Sequence, residues 1–223
     1  IGLSPFIYNI AHCFVVIIIN NQLKHYGGDL AIASYGVINR IVFVFAMIIM
    51  GLNQGMQPIT GYNYGAKQYD RMLRSFYLTC LYATAVMAII FILGECFPRQ
   101  ITQIFTHDIN LIEQTITPMR IICSTMLIIG FQMVAGNFFT SIGMAGKSIF
   151  LSMTRQVLFL IPLLLFVPLL FENPVLGVWW AIPISDTMAA ITAAIMLGIS
   201  IKHFRGLINE QEAWKVTCPP EPD

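Results

Sequence analysis

Residues 149–171 read IFLSMTRQVLFLIPLLLFVPLLF, an apolar run that contains one charged residue, Arg155. A helix needs about 20 mostly apolar residues to cross the hydrocarbon core of a bilayer, and this run is long enough. Because no water is present there to satisfy exposed backbone groups, a lone apolar run of this length has to be helical. The stretch therefore predicts a membrane-spanning helix.

The composition of the whole chain agrees with this prediction. Of the 223 residues, 57% are hydrophobic and 10% are charged, and the mean hydropathy is +0.75. Such values are typical of a chain that lives among membrane lipid. The net charge of +1 gives no basic field that would attract nucleic acid, so no nucleic-acid partner is expected.

Further apolar runs, bounded by Gly, Pro and charge clusters, extend the pattern to six predicted spans. They lie near residues 4–22, 33–59, 76–97, 117–141, 149–171 and 175–201. The predicted fold is an all-α polytopic membrane protein, with a six-helix transmembrane bundle over residues 1–205 and a cytoplasmic tail over residues 206–223. Residues 98–116, between the third and fourth spans, predict a short interfacial helix.

Basic residues near the ends of the spans predict the orientation. One side collects Lys67, Arg71, Arg74, Lys147, Arg155, Lys202, Arg205 and Lys215, and the other has Lys24, Arg40, Arg99 and Arg120. Since cytoplasmic loops are enriched in Lys and Arg, the first side is expected to be cytoplasmic, together with the C-terminus. The chain starts at Ile1 without a signal-peptide pattern, and we expect that sequence upstream of it is missing.

The second predicted span ends in the stretch GLNQGMQPITGYNYGAKQYDRM, residues 51–72. Gly51 and Gly55 are four residues apart, a spacing that lets a neighbouring helix approach closely. Pro58 lacks a backbone donor and is expected to stop regular helical bonding, with Gly61 and Gly65 forming a tight turn after it.

Polar side chains within the spans are the candidate functional residues, because a polar group in hydrocarbon is costly unless it faces protein or water. The predicted substrate pathway consists of Asn39, Arg40, Gln54, Gln57, Gln132, Asn137 and Gln156. They could form one wall of an aqueous cavity. The alternative is that they hydrogen-bond between helices, at about 0.6 kcal/mol per contact.

Asp186 is the acid nearest the middle of a span. It is a candidate cation site or a counter-ion for a cationic substrate, since a carboxyl group in a low-dielectric cavity can exchange protons near neutral pH. The alternative is a structural ion pair with Arg40 or Arg155. His12, in the first span, could titrate near neutral pH or be a neutral core residue.

The chain carries no recognisable enzyme motif. It contains no G-x-S-x-G, H-E-x-x-H or nucleotide-binding G-x-x-x-x-G-K-[ST] pattern, and its five cysteines show no C-x-x-C spacing. We therefore expect neither an enzyme nor a bound cofactor or metal.

Several stretches resemble transporters of the multidrug and toxic compound extrusion (MATE) family. They are GLNQGMQPITGYNYGAK (51–67), NNQLKHYGGDLAIASYGVINR (20–40), GFQMVAGNFFTSIGMAGKS (130–148), SMTRQVLFLIPLLL (152–165) and GVWWAIPISD (177–186). The resemblance covers the chain to about residue 205. It implies the second six-helix lobe of a twelve-helix antiporter in the bacterial cytoplasmic membrane, whose N-terminal lobe is missing here.

Family resemblance also implies an activity. Such transporters use Na⁺ or H⁺ entry to export amphipathic, often cationic drugs by alternating access. Some branches place a cation-binding acid in the seventh helix, but residues 1–24 contain no Asp or Glu. The main cation site is therefore expected in the missing lobe, with Asp186 auxiliary. Two alternatives stay open, a flippase-like carrier of lipid-linked precursors and a non-transporting membrane scaffold.

Overall fold

The computed structural model describes residues 3–217, and the side chains of residues 6–211. Over that part of the chain there is no strand, which confirms the all-α prediction. The helices are α1 (Leu3–Gly65), α2 (Tyr69–Cys96), α3 (Pro98–Phe105), α4 (Ile109–Cys123), α5 (Met126–Ser141), α6 (Ala145–Met153), a π-helical segment (Thr154–Leu160), α7 (Ile161–Leu170) and α8 (Pro174–Thr217). Cys218, the last of the five cysteines, lies outside the described residues.

Helix α1 contains the first two predicted spans, and Gly28 separates them. Gly28 has φ 69° and ψ −165°, a backbone conformation that is almost restricted to glycine. We call residues 3–27 the first arm of α1 and residues 29–65 its second arm. The first two predicted spans end near residue 22 and begin again near residue 33, whereas the structure breaks the helix at Gly28 alone.

Contacts along α8 show that the two arms leave Gly28 in the same direction. A β-carbon built on Gly27 would lie 3.2 Å from Val175, near the start of α8. The second arm runs along α8 until Tyr64 packs against Phe204, with ring centroids 6.0 Å apart. The first arm reaches the level of Asp186 at His12, as the site contacts below show. The arms therefore form a hairpin, and α1 supplies two crossings.

Of the four remaining crossings, two are single helices and two are interrupted. Helix α2 and helix α8 are single helices long enough to span a bilayer, and α6, the π-helical segment and α7 together form a third, over Ala145–Leu170. Helices α4 and α5 are bent by 52° at Ser124 and Thr125. The hydroxyl group of Ser124 donates to Ile121 O at 2.7 Å, so a side chain binds a carbonyl group near the break.

Helix α1 continues through Pro58 to Gly65, so the expected stop at Pro58 is wrong. The turn lies after it, where Lys67 has φ 57° and Gln68 N donates to Asn63 O at 2.8 Å. Asn63 and Thr60 beyond the proline are buried, and packing of this last part of α1 maintains the helix. Gly51 and Gly55 have no atom within 4 Å of a built β-carbon, so the expected close approach does not occur among the described residues.

The segment between the third and fourth spans is divided into two helices. The predicted interfacial helix over residues 98–116 corresponds to α3, which ends at Phe105, and to the start of α4. Asp108 caps α4 by accepting a hydrogen bond from Asn110 N at 3.0 Å. At the other end of the chain, α8 runs on to Thr217, twelve residues into the predicted tail. The tail boundary at residue 206 stays a prediction.

Aromatic packing closes one end of the bundle. Phe138 of α5 contacts Phe76 of α2 at 4.8 Å and Phe204 of α8 at 6.5 Å between ring centroids. At the same end Lys147 donates to Ser200 Oγ at 3.0 Å. The turn after α1, the turn before α6 and the distal part of α8 therefore lie together, which groups most of the predicted cytoplasmic basic residues.

Candidate functional site

The second arm of α1 presents a face of mixed polarity on the outside of the bundle. Asn39, Arg40 and Gln54 are all exposed. Between them lie Phe43 and Met47, which are 58% and 56% exposed. The residues recur at three- and four-residue intervals, so they share one side of the helix. Gly51 and Gly55 belong to the same face, where nothing in the described residues covers them. We call this surface the α1 face.

The exposed stripe of α8 is different in composition. It is formed by Trp180, Ile184, Met188, Ile191, Ile195 and Ile199, all of them apolar. The exposed side of α7 is likewise built from Leu165, Phe166, Leu169 and Leu170. Uniformly apolar stripes suit contact with lipid, whereas a face with amides and an arginine does not.

The other predicted pathway residues are less exposed than the three that help to form the α1 face. Gln132 and Gln156 are buried inside the bundle, while Gln57 and Asn137 are half-buried. Asn137 uses its amide within its own helix, donating to Met133 O at 2.9 Å. Gln132 Oε1 is buried and has no partner among the described residues. The structure therefore divides the predicted wall into an exposed group and an internal group.

Asn53 was not among the predicted pathway residues, yet it is the least satisfied amide in the described part of the chain. It is 3% exposed, and neither its Nδ2 nor its Oδ1 has a hydrogen-bond partner there. Its position four residues after Ile49 and three before Met56, both buried, could have placed it on the core side of α1.

Asp186 is paired with Arg155, the second of its two predicted arginine partners. Arg155 Nε donates to Asp186 Oδ1 at 2.7 Å, and the side chains are 22% and 3% exposed. This is the one ion pair within the described residues. Ser185 Oγ adds a hydrogen bond to Arg155 O at 3.1 Å. Arg40, by contrast, lies on the α1 face. The structural-pair alternative thus has the geometry it requires, and a functional role of Asp186 stays a prediction.

His12 joins this pair from the first arm of α1. Gln156, the residue after Arg155, places its Nε2 3.4 Å from His12 Nδ1. His12 is half-buried and stacks at 6.1 Å on Tyr8. His12 therefore contacts Gln156 between two helices, and both sequence interpretations of its titration stay predictions.

Two open grooves lie elsewhere on the surface. One, of about 290 Å³, runs along the first arm of α1 and is lined by Phe6, Asn9, Ile10, Cys13, Phe14 and Ile17. The other, of about 550 Å³, lies between the α1–α2 turn and the end of α8, where Lys67, Tyr69 and Glu210 line it. Neither is an enclosed binding chamber, so a chamber would need a second wall opposite the α1 face.

The fold and this surface define a multi-pass membrane bundle with one amphipathic face, as transport proteins of the membrane have. A family profile described as MatE matches residues 6–166. The chain therefore belongs to the MATE family.

Individual relatives agree with this assignment. Multidrug export protein MepA of Staphylococcus aureus (strain MSSA476) is 26% identical over 197 residues, which are 88% of this chain and 43% of MepA. Among solved structures, the MATE multidrug transporter DinF-BH, solved as a complex with a ligand, is 38% identical to this chain. The match covers 88% of this chain and 44% of the DinF-BH chain, and the two superpose with a TM-score of 0.76.

An outward-facing MATE transporter of the MOP superfamily superposes with a TM-score of 0.86 over 92% of this chain and 46% of its own, at 19% identity. That likeness supports the fold alone. The chain thus spans less than half the length of the relatives it matches.

Proposed function

We propose that this chain forms one six-helix lobe of a MATE transporter, not an enzyme, which exports amphipathic, often cationic compounds by alternating access. The observation that carries the proposal is the α1 face, where Asn39, Arg40 and Gln54 stand among Phe43 and Met47 at the surface of the bundle. A face of this kind can bind the apolar body of a drug-like molecule and still offer hydrogen bonds.

A second lobe would supply the opposite wall of the chamber. The relatives are more than twice as long as the matched region, which leaves room for another six helices. Gly51 and Gly55 lie uncovered on the α1 face, so a neighbouring helix could approach closely there. We propose that the missing N-terminal lobe contacts or faces this surface, with membrane lipid against the apolar stripes of α7 and α8.

The names of the relatives support the substrate class. MepA is a multidrug export protein, and DinF-BH is a multidrug transporter that was solved with a ligand bound. Coupling to Na⁺ or H⁺ entry is proposed on the family resemblance, with no bound cofactor. The first arm of α1 contains no acid, so we place the main cation site in the missing lobe. We further propose a location in the bacterial cytoplasmic membrane, with the end of α8 on the cytoplasmic side.

A flippase of lipid-linked precursors is less well supported by the geometry. Such a carrier needs several free basic groups in its cavity to bind phosphates. Of the three arginines within the predicted spans, Arg155 is tied to Asp186 and Arg120 lies on α4, so only Arg40 stands on the α1 face.

Efflux of a fluorescent amphipathic cation from cells that express the full-length gene tests the proposal. Gln54→Leu removes a polar group from the α1 face and is expected to slow efflux at normal expression. Met188→Leu, which introduces the same residue type on the apolar stripe of α8, is the matched control and should leave efflux unchanged. A full-length protein that exports no such compound, under either a Na⁺ or an H⁺ gradient, would favour the scaffold alternative.

A further inference from the structure

Three helical segments bring a compact charge cluster together in the interior of the lobe. The π-helical segment supplies Arg155 and Gln156, α8 supplies Asp186, and the first arm of α1 supplies His12. Arg155 bonds to Asp186 at 2.7 Å, and Gln156 lies 3.4 Å from His12. Adjacent residues of one segment thus contact two different helices.

The π-helical turn explains how adjacent residues come to reach two partners. Pro162 follows this segment closely, and in a regular helix its ring would collide with the carbonyl group of residue 158. A π turn widens the helix before the proline and changes the direction in which side chains leave it. Such turns are rare and occur often at functional sites.

The carboxyl group of Asp186 is only half satisfied. Its Oδ1 accepts the hydrogen bond from Arg155, whereas its Oδ2 is buried and has no partner among the described residues. Leaving an ionised oxygen buried without a donor is costly. A proton on Oδ2 would remove that cost, because it would neutralise the group.

The surroundings favour a proton over a metal ion. A hard cation such as Na⁺ needs several oxygen ligands, and here it would meet the Arg155 guanidinium beside the one free oxygen. Within the described residues, no group of three or more His, Cys, Asp or Glu side chains could hold a metal ion.

The other titratable groups around Asp186 are few. The first arm of α1 brings His12 and Tyr8, both of which interact electrostatically with Arg155. Helices α5 and α7 carry no titratable residue in their sequences, and Glu113 and Arg120 of α4, which also packs against α8, are exposed. Lys147 of α6 binds Ser200, fourteen residues further along α8 and so roughly 21 Å away along the helix axis. Arg155 is therefore the cation that holds Asp186.

We propose that Asp186 Oδ2 binds a proton and that this proton operates a latch between the π-helical segment and α8. One proton from water adds to Oδ2 and forms a neutral carboxyl group, while Arg155 keeps its positive charge. The ion pair is thereby lost and the cluster gains one positive charge. The link between the π-helical segment and α8 then keeps only the Ser185 hydrogen bond and a weaker hydrogen bond from Arg155 Nε to the neutral carboxyl group at Oδ1. Its effect on transport rests on the proposed function, but the proton site itself does not.

The test uses the complete purified protein in lipid and follows the infrared carbonyl band of protonated carboxyl groups during a pH titration. The wild type is expected to gain a band on acidification that Asp186→Asn lacks, and to take up about one proton more than that variant. Asp29→Asn, which alters an exposed acid beside Gly28, is the control and should keep the band. In Arg155→Met the band should persist to higher pH, since a carboxyl group without its counter-ion releases its proton less readily.

Identical titrations of the wild type and Asp186→Asn would overturn the proposal and leave a permanently ionised structural pair. Should Asp186→Asn not fold, the double variant Arg155→Met/Asp186→Asn removes both charges and replaces it in the comparison. The infrared band does not depend on drug export. A protein with the band and no export refutes the proposed function alone, and export without the band refutes the latch alone.

Discussion

Replacing Gly177 by alanine tests the contact between α7 and α8 that holds Arg155 and Asp186 in register. A β-carbon on Gly177 would lie 2.7 Å from Pro168 Cα and 3.0 Å from both Pro168 N and Val167 O. All three are backbone atoms, so no side-chain rotation can relieve the collision. Carbon atoms pack best at about 3.5–4.0 Å, and the two helices would have to separate by roughly 1 Å.

Forced overpacking of this kind costs about 1–3 kcal/mol. Gly198→Ala, on the same helix, is the matched control, because nothing lies within 4 Å of its built β-carbon. Both variants share the gain of roughly 1 kcal/mol that alanine has over glycine in a helix, so the difference between them isolates the contact. With about 2.1 cal/mol/K of unfolding entropy per residue, a protein more than twice the matched length shifts by about 1 °C per kcal/mol, so Gly177→Ala should melt roughly 1–3 °C below Gly198→Ala.

The assay is thermal unfolding of the purified full-length protein in the same detergent, with folding checked by size-exclusion chromatography. Equal melting temperatures for the two variants would refute the reasoning. They would show that α7 and α8 are not in backbone contact at Gly177, and the placement of Asp186 nine residues further along α8 would then lose its support.

Two further substitutions test the stability of the bundle at the Gly28 break and at the Arg155–Asp186 ion pair. Gly28→Ala should destabilise the protein by about 1–3 kcal/mol, because alanine is strained at φ 69° and ψ −165°. Gly36→Ala, at an uncrowded helical position, is the control and should not destabilise it. Equal thermal stability of the two variants would argue against the hairpin. Arg155→Met should lower the free energy of unfolding by about 3–5 kcal/mol, because it leaves Asp186 unpaired. In chemical denaturation, Arg155→Met/Asp186→Leu should recover most of that loss. A double variant as unstable as the single one would mean that the carboxylate is not desolvated.

The apolar runs predicted the helical fold well, but two boundaries followed tertiary packing. Residues 20–29, around Gly28, are mostly polar, and sequence cannot distinguish a single-residue break from a short loop there. At Pro58 the local expectation of a stop was wrong, since Thr60 and Asn63 beyond it are buried and the helix continues. Local rules for helix breakers gave way to the packing that each helix finds in the bundle.

The candidate site was predictable as a set of residue types and not as an arrangement. Gln54 and Gln132 look alike in the sequence, yet one is exposed on the α1 face and the other is buried, because the rotation of each helix about its axis decides the outcome. In the same way, the sequence left two arginines as possible partners of Asp186. The packing of the π-helical segment against α8 brings Arg155, and not the other, into contact with it.

In the proposed transporter, the α1 face borders water and the exposed stripes elsewhere border lipid. The most direct test of this arrangement introduces single cysteines at Asn39 and Gln54, and at the exposed positions Leu81 and Ile195 as controls, in a cysteine-free full-length protein. A water-soluble thiol reagent is expected to label the first two and to spare the controls, and an exported drug should protect the labelled sites. Labelling that is absent from the α1 face, or equal at all four positions, would contradict the account.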